Sequence, residues 1–356
     1  MSLSEKNGAL ELITGNAVAQ SLNNLYTSFH ERRDSLGLSN PGTVENIAKE
    51  VSRDVFLNNL SFSGLRADLT KAFSVAPLFQ ISHALSMGSQ GLPPYTYSVL
   101  YGSSKVFMQA SLDNELSLTG RFNYRWNQGL VTKTSTQMQG GQAMFSIDND
   151  YTGSDFSASL KAMNPNILDG GITGIWVGSW LQSVTPRLAL GIEAVWQRQT
   201  VNMGPEMALS YAGKYKGDDW TASAQLLSQG AVQATYWRRL MDRVEVGADC
   251  TLSFAGLGIA GSGALMGGGI RKEGVATLGA KYDFRTQSSF RAQIDSQGRL
   301  GALLEKRVAP PVSVTFAGEI DHAKNTAKVG LAVSIEAAGE EVMEQQETMA
   351  QVTPPF

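Results

Sequence analysis

The chain has 356 residues, of which 29 are Lys or Arg and 32 are Asp or Glu, so only 17% are charged, against about 25% in typical soluble domains. A net charge of −3 provides no broad basic field for nucleic acid, and a single cysteine excludes a disulfide framework and cysteine-pair zinc patterns. No window supplies the roughly 18 consecutive apolar residues of a spanning helix, and Met1 to Lys6 begins neither a secretory signal nor an Arg-rich matrix-targeting peptide.

Residues 1–58 have helical spacing. Val18, Leu22, Leu25, Tyr26 and Phe29 form one stripe, closed by the polar run His30 to Asp34 and by Gly37. Ser39-Asn40-Pro41-Gly42 is a turn, and Thr43 is placed to cap a second helix over about 44–57. Its stripe is Val44, Ile47, Val51 and Val55, with Glu45, Lys49, Arg53 and Asp54 off it. Spacing alone does not say what that face packs against.

From residue 60 to 337 the period changes to two. Glu115 to Trp126, Pro186 to Arg198, Arg243 to Phe254 and Val312 to Asp321 each alternate apolar and polar residues. Such runs are about twice the usual strand length. Turn-forming breaks recur every 10 to 14 residues, among them Asn127-Gln128-Gly129, Gln139-Gly140-Gly141, Asn164-Pro165-Asn166 and Ser296-Gln297-Gly298. The pattern gives nineteen or twenty strands, with Leu257 to Lys272 readable as strand or loop, and no helix-length insert that would make a parallel sheet. Residues 338–356 form a short acidic tail.

One face of these strands is apolar throughout while the other holds nearly all the charge. An open sheet of this width would expose both edges, whereas a closed barrel has none and encloses water. Apolar-out, polar-in alternation over about ten residues is the pattern of a transmembrane β-barrel. Tyr95, Tyr97, Trp126, Trp196, Trp220, Tyr282 and Phe284 lie near strand ends, where interfacial girdles sit.

Chemistry-bearing signals are weak by comparison. Gly256-x-Gly258-x-x-Gly261 has dinucleotide-binding spacing, but Gly263 and Gly267 to Gly269 would break the helix that fingerprint needs. Cys250 lies on the apolar parity with no base beside it, and His30, His83 and His322 are too scattered for a metal site. No catalytic, metal or cofactor site is expected. The polar parity carries the acids Glu115, Asp148, Asp150, Glu193, Glu245, Asp249, Asp283, Asp295 and Glu319. It also carries Arg121, Arg125, Lys161, Arg187, Lys281, Arg291 and Lys328, so a charged polymer could be held in the lumen. Asp148 and Asp150 share one face of one strand and form the best local acidic patch.

Three stretches resemble the channel-forming subunits of the translocase of the mitochondrial outer membrane (TOM complex), of the mitochondrial porin superfamily, in their fungal form. They are Phe29 to Ile47 (FHERRDSLGLSNPGTVENI), Phe62 to Lys71 (FSGLRADLTK), and Lys328 to Ile335. The last fits an outer-membrane assembly signal with Lys328, Gly330, Val333 and Ile335 at its defining positions. The resemblance implies an all-β barrel of nineteen strands, antiparallel except for a parallel pairing of first with last, and a loop within Leu257 to Lys272. It implies that the helix at 44–57 lies inside the pore as a pore helix. It also implies that unfolded precursor proteins with basic presequences cross the lumen from the cytosol, meeting its acidic residues. The partners it implies are a single-span receptor, small single-helix subunits, a second barrel copy, chaperones of the intermembrane space and outer-membrane lipids. A metabolite or anion channel of the VDAC type has the same fold and is the competing expectation.

Overall fold

The computed structural model describes residues 33, 36–57, 60–89, 91–166, 171–202, 204–228, 230–255, 271–285 and 287–338. The helix expected around Val18 to Phe29, the Gly256 to Gly261 run and the tail beyond 338 lie outside the described residues.

The long alternating stretch forms nineteen strands. The first seven are β1 (Gly64–Val75), β2 (Leu78–Met87), β3 (Tyr95–Gly102), β4 (Val106–Asp113), β5 (Leu118–Arg125), β6 (Leu130–Gln139) and β7 (Gln142–Thr152). Then come β8 (Phe156–Asn166), β9 (Thr173–Ser183), β10 (Leu188–Arg198), β11 (Glu206–Lys216), β12 (Trp220–Leu227) and β13 (Ala231–Met241). The last are β14 (Val244–Ala255), β15 (Arg271–Phe284), β16 (Ser288–Asp295), β17 (Arg299–Ala309), β18 (Val312–Asp321) and β19 (Thr326–Ala338).

Each strand pairs antiparallel with the next, and β1 pairs with β19 in parallel from Gly64↔Gly330 to Ala72↔Ala338. An odd-numbered meander makes its first and last strands run the same way, so closure has to be parallel. No edge is left. At about 4.8 Å per strand and a tilt of about 40°, nineteen strands enclose a barrel roughly 38 Å across, backbone to backbone.

The two ends differ. One carries the tight turns 76–77, 103–105, 153–155, 242–243 and 310–311; the other carries the longer connections 88–94, 167–172, 199–205 and 256–270. Ala338 ends β19 at the short-turn end.

Several boundaries depart from expectation for local reasons. Β5 begins at Leu118 and not at Glu115, because the Asp113 carboxylate accepts the N–H groups of Glu115 and Ser117 (both 2.9 Å) and closes a turn. Leu116 has φ 58° inside that turn. Asn164 to Asn166 is no break: β8 continues through it with a bulge, Asn164 taking φ 47°. Within Leu257 to Lys272, residues 257–270 lie outside the described set, while Arg271 and Lys272 open β15.

The expected helix at 44–57 is wound differently. Short turns link Ile47 to Val44 (3.1 Å) and Lys49 to Asn46 (3.2 Å), and Glu50–Val55 is π-helical. The Ser52 N–H and hydroxyl both donate to the Ala48 carbonyl (3.0 Å each). Wall contacts, described next, fix this segment more than helix propensity does. Among the described residues no helix is long and apolar enough to cross a membrane.

Candidate functional site

The candidate site is the lumen, whose wall is identified by strand register. Gly191, Gly247, Gly279 and Gly301 face the interior on β10, β14, β15 and β17, where the segment from Val44 to Leu57 lies against them. A Cβ at Gly191 would come within 3.3 Å of Val44 and one at Gly247 within 3.1 Å of Val51. One at Gly279 would meet the Phe56 ring at 2.6 Å and one at Gly301 the Leu57 side chain at 3.0 Å. These glycines are mid-strand because backbone and segment approach closely there. Val44 (5% exposed), Ile47 (1%), Val51 (2%) and Val55 (0%) are all buried by that wall, with Leu181, Ala189, Ala212 and Trp237.

The segment crosses the barrel from the short-turn end to the long-loop end. At its start, the Asn40 amide donates to the carbonyls of Gly153 and Phe156 (both 2.8 Å), and Ser183 donates to the Ser39 carbonyl (2.7 Å). Arg33 there binds the carboxylate of Asp155, its Nε at 2.7 Å, and Gln182 donates to the same oxygen at 3.0 Å. Burial alone would push the Asp155 carboxyl up, but the bonds from Arg33 and Gln182 outweigh it and hold it below the usual carboxylate range. In the middle Lys214 pairs with Glu50 at 2.8 Å. At its end Leu57 N–H donates to Gln293 (2.8 Å) and the Ser61 hydroxyl to Glu319 (3.1 Å).

The expected lumen acids fall into three groups. Glu115 is not on the strand wall; it lies in the β4–β5 turn at the long-loop rim, for the reason given above. Asp148, Asp150 and Asp283 face the lumen but each has a lysine: Lys161 at 3.6 Å, Lys133 at 2.5 Å and Lys281 at 2.9 Å. The Asp148–Asp150 patch is therefore largely compensated, although the buried Oδ1 of Asp148 accepts no hydrogen bond among the described residues.

Glu193, Glu245, Asp249, Asp295 and Glu319 also have lumen register, and among the described residues none has a Lys or Arg nitrogen within 4.0 Å. Asp249 accepts from Gln233 (2.6 Å) and Thr251 (3.0 Å), and Asp295 from the N–H groups of Gln297 and Arg299 at the rim. Glu193 is within electrostatic reach of Glu45 on the internal segment and of Lys161. By contrast, the arc β2–β4 presents Gln80, Ser82, Ser86, Thr96, Ser98, Gln109 and Ser111 to the lumen, a track of hydroxyls and amides.

On β19 the register places Lys328 and Gly330 on the lumen side and Val333 and Ile335 on the outer side. A Cβ at Gly330 would lie 2.5 Å from the Phe62 carbonyl oxygen and 2.8 Å from its ring, so the segment's end packs on the seam. Pattern reading missed the glycine groove and the clasp around Asp155. Glycines on a polar parity were the available signal for the groove; nothing local in sequence links Arg33 to a residue 122 positions away.

The outer face matches a bilayer. Leu65, Leu69, Leu190, Ile192, Leu278, Phe316 and Ile320 are exposed there, far beyond what a soluble surface tolerates. Aromatic rings form a belt at the short-turn end: Phe156–Trp180 (4.5 Å between centroids), Tyr215–Trp220 (5.2 Å) and Tyr282–Phe284 (4.6 Å). Tyr95, Tyr97 and Trp196 sit toward the other end. Cys250 is exposed on the outer parity of β14, opposite Ala234 and Ala276.

The family model for eukaryotic porins matches residues 40–330. The chain is 54% identical over 348 residues to a Neurospora crassa protein described as mitochondrial import receptor subunit tom40, covering 98% of this chain and 97% of that one. It is 44% identical to the Saccharomyces cerevisiae subunit TOM40 (95% and 88% covered) and 28% identical to the human homologue (84% and 79%).

Proposed function

Because this chain belongs to the eukaryotic porin family and, within it, to the Tom40 import receptor subunits, we propose that it is a protein-conducting channel of the mitochondrial outer membrane. Unfolded precursors pass from the cytosol through the lumen of the barrel. The observation that carries this reading is the pairing of a charged lumen wall with 54% and 44% identity to import receptor subunits over nearly the whole chain. That identity also favours the import channel over a VDAC-type metabolite channel.

The mechanism uses weak binding. Basic presequences contact Glu193, Glu245, Asp249, Asp295 and Glu319, whose charges are not matched by a Lys or Arg among the described residues. Asp148, Asp150 and Asp283 take part by exchanging a lysine partner for a presequence cation. Exposed pairs contribute about 0–1 kcal/mol each, so a chain is held by several and released from each. Directionality then comes from binding on the far side, by chaperones of the intermembrane space. A single-span receptor, small single-helix subunits and a second barrel copy complete the assembly, embedded in outer-membrane lipid. Val44, Ile47, Val51 and Val55 hold the internal segment to the wall and so set the free aperture. Lys328, Gly330, Val333 and Ile335 serve as the assembly signal.

The test is single-channel recording of the purified barrel in a planar bilayer. A basic amphipathic peptide should block the pore in a voltage-dependent manner, and a non-amphipathic scramble should not. A pore indifferent to the peptide but sensitive to small anions would support the metabolite channel instead.

A further inference from the structure

Among the described residues, the strand positions of the outer face carry charge of one sign. Among strand positions whose side chains are described, the charged residues with outward register are Lys71, Arg198, Arg238 and Lys306, and there is no carboxylate. Arg198 donates to the Val201 carbonyl near the long-loop end, and Lys71 lies 5.2 Å above the Phe73 ring. Arg238 and Lys306 are exposed, lie toward the short-turn end and form no ion pair among the described residues.

Both stand in the aromatic belt. Arg238 is opposite Trp220, whose ring stacks on Tyr215 and lies 5.9 Å from Tyr236. Lys306 is opposite Ser288, which in turn is opposite Phe284 of the Tyr282–Phe284 pair. Such rings lie at headgroup depth, and a lipid-facing cation runs its apolar stem along the barrel to reach that layer. We propose that Arg238 and Lys306 hold anionic phospholipid headgroups, giving the barrel a preference for anionic lipid in the leaflet at its short-turn end.

A lipid annulus fits better than an acidic residue of a neighbouring helix. β13 and β17 are four strands apart, about 19 Å, whereas a helix with side chains is about 10–12 Å across. One helix cannot serve both cations, whereas lipid surrounds the outer face and reaches each without two separate acidic partners. This inference is independent of what the pore transports.

The test uses the purified full chain in nanodiscs of phosphatidylcholine, alone or with about a quarter phosphatidylinositol, read by native mass spectrometry of retained lipid. The natural protein should retain phosphatidylinositol over phosphatidylcholine by about fivefold per cation. Soluble inositol phosphate should not displace it. The Arg238→Gln, Lys306→Gln double variant should lose about fivefold of that preference for each cation removed, Lys71 near the same end being left in place, while keeping its melting temperature in neutral lipid. A folded double variant that keeps the full preference would overturn the proposal, as would a natural protein without one. If the double variant does not fold, photoactivatable phosphatidylinositol applied to the natural protein decides: it must label peptides containing Arg238 and Lys306, and labelling confined elsewhere overturns the assignment.

Discussion

Adding one methyl group at Gly279 should loosen the internal segment from the lumen wall. The new Cβ would sit 2.6 and 2.8 Å from ring atoms of Phe56 and 3.2 Å from Val55, and Phe56 is itself buried at 3% exposure. Overpacking of this kind costs about 1–3 kcal/mol. The cost falls on docking of the segment, because β15 is held on both sides by continuous ladders to β14 and β16. A local equilibrium shifted by that amount makes residues of the segment about 5- to 150-fold more accessible. The assay is the rate of maleimide labelling of Val55→Cys, a position with 0% exposure, in a Cys250→Ser background that removes the one native cysteine. Gly279→Ala should raise that rate without changing strand content. Adding Phe56→Leu should restore part of the protection, since the two sites share one volume and couple by about 0.5–3 kcal/mol. Unchanged labelling in Gly279→Ala, or strict additivity in the double variant, would refute the close packing from which the magnitude comes.

Asp155→Asn should weaken the clasp on the segment's start by about 1.5–3 kcal/mol, the range for a hydrogen bond to a charged group, read as faster proteolysis between residues 33 and 40. Because the folded Asp155 carboxyl is depressed, its stabilisation is complete above the unfolded value of about 3.9 and is lost as pH falls through the lower folded value. Cleavage in the natural protein should therefore accelerate only below about pH 4, and in Asp155→Asn should lose that dependence. Gly330→Leu should prevent closure of the β1–β19 seam against Phe62, seen as loss of the compact, heat-modifiable species on gels; normal assembly would count against the signal at Lys328 to Ile335. Combining Glu193→Gln, Asp249→Asn and Glu319→Gln should weaken block by a basic peptide up to about fivefold per site, and equal block would remove these acids from the path. Asp148→Asn with Asp150→Asn should also weaken it, by leaving Lys161 and Lys133 unmatched, and unchanged peptide affinity would argue against a role for that patch.

Barrel class and the inward set of Asp148, Glu193, Asp249 and Glu319 were legible because a two-residue period sorts side chains by face wherever one face meets lipid, whereas the period left nineteen or twenty strands open and the count of nineteen came from the family resemblance. Val312 to Asp321 reproduces β18 residue for residue. Reading failed where a local side chain overrode the period, as at Asp113, whose carboxylate ends β4–β5 alternation and removes Glu115 from the wall. It failed again where long-range packing sets local form. The stripe Val44, Ile47, Val51 and Val55 was visible as helical, but its turn-and-π winding depends on glycines more than 130 residues away. Charge matching was equally hidden: Asp150 and Lys133 lie 17 positions apart and meet only through the β6–β7 register.

The passage of polypeptide through the lumen is tested most directly by arresting a precursor, fused at its end to a tightly folded domain, in the assembled full-length channel. Photoreactive side chains are placed at Ser98 and Asp249 on the lumen wall and at Leu209 on the outer face of β11. Cross-links to the arrested chain from Ser98 and Asp249, with none from Leu209, are the expected result. Cross-links from Leu209 with silent lumen positions would contradict a path through the barrel.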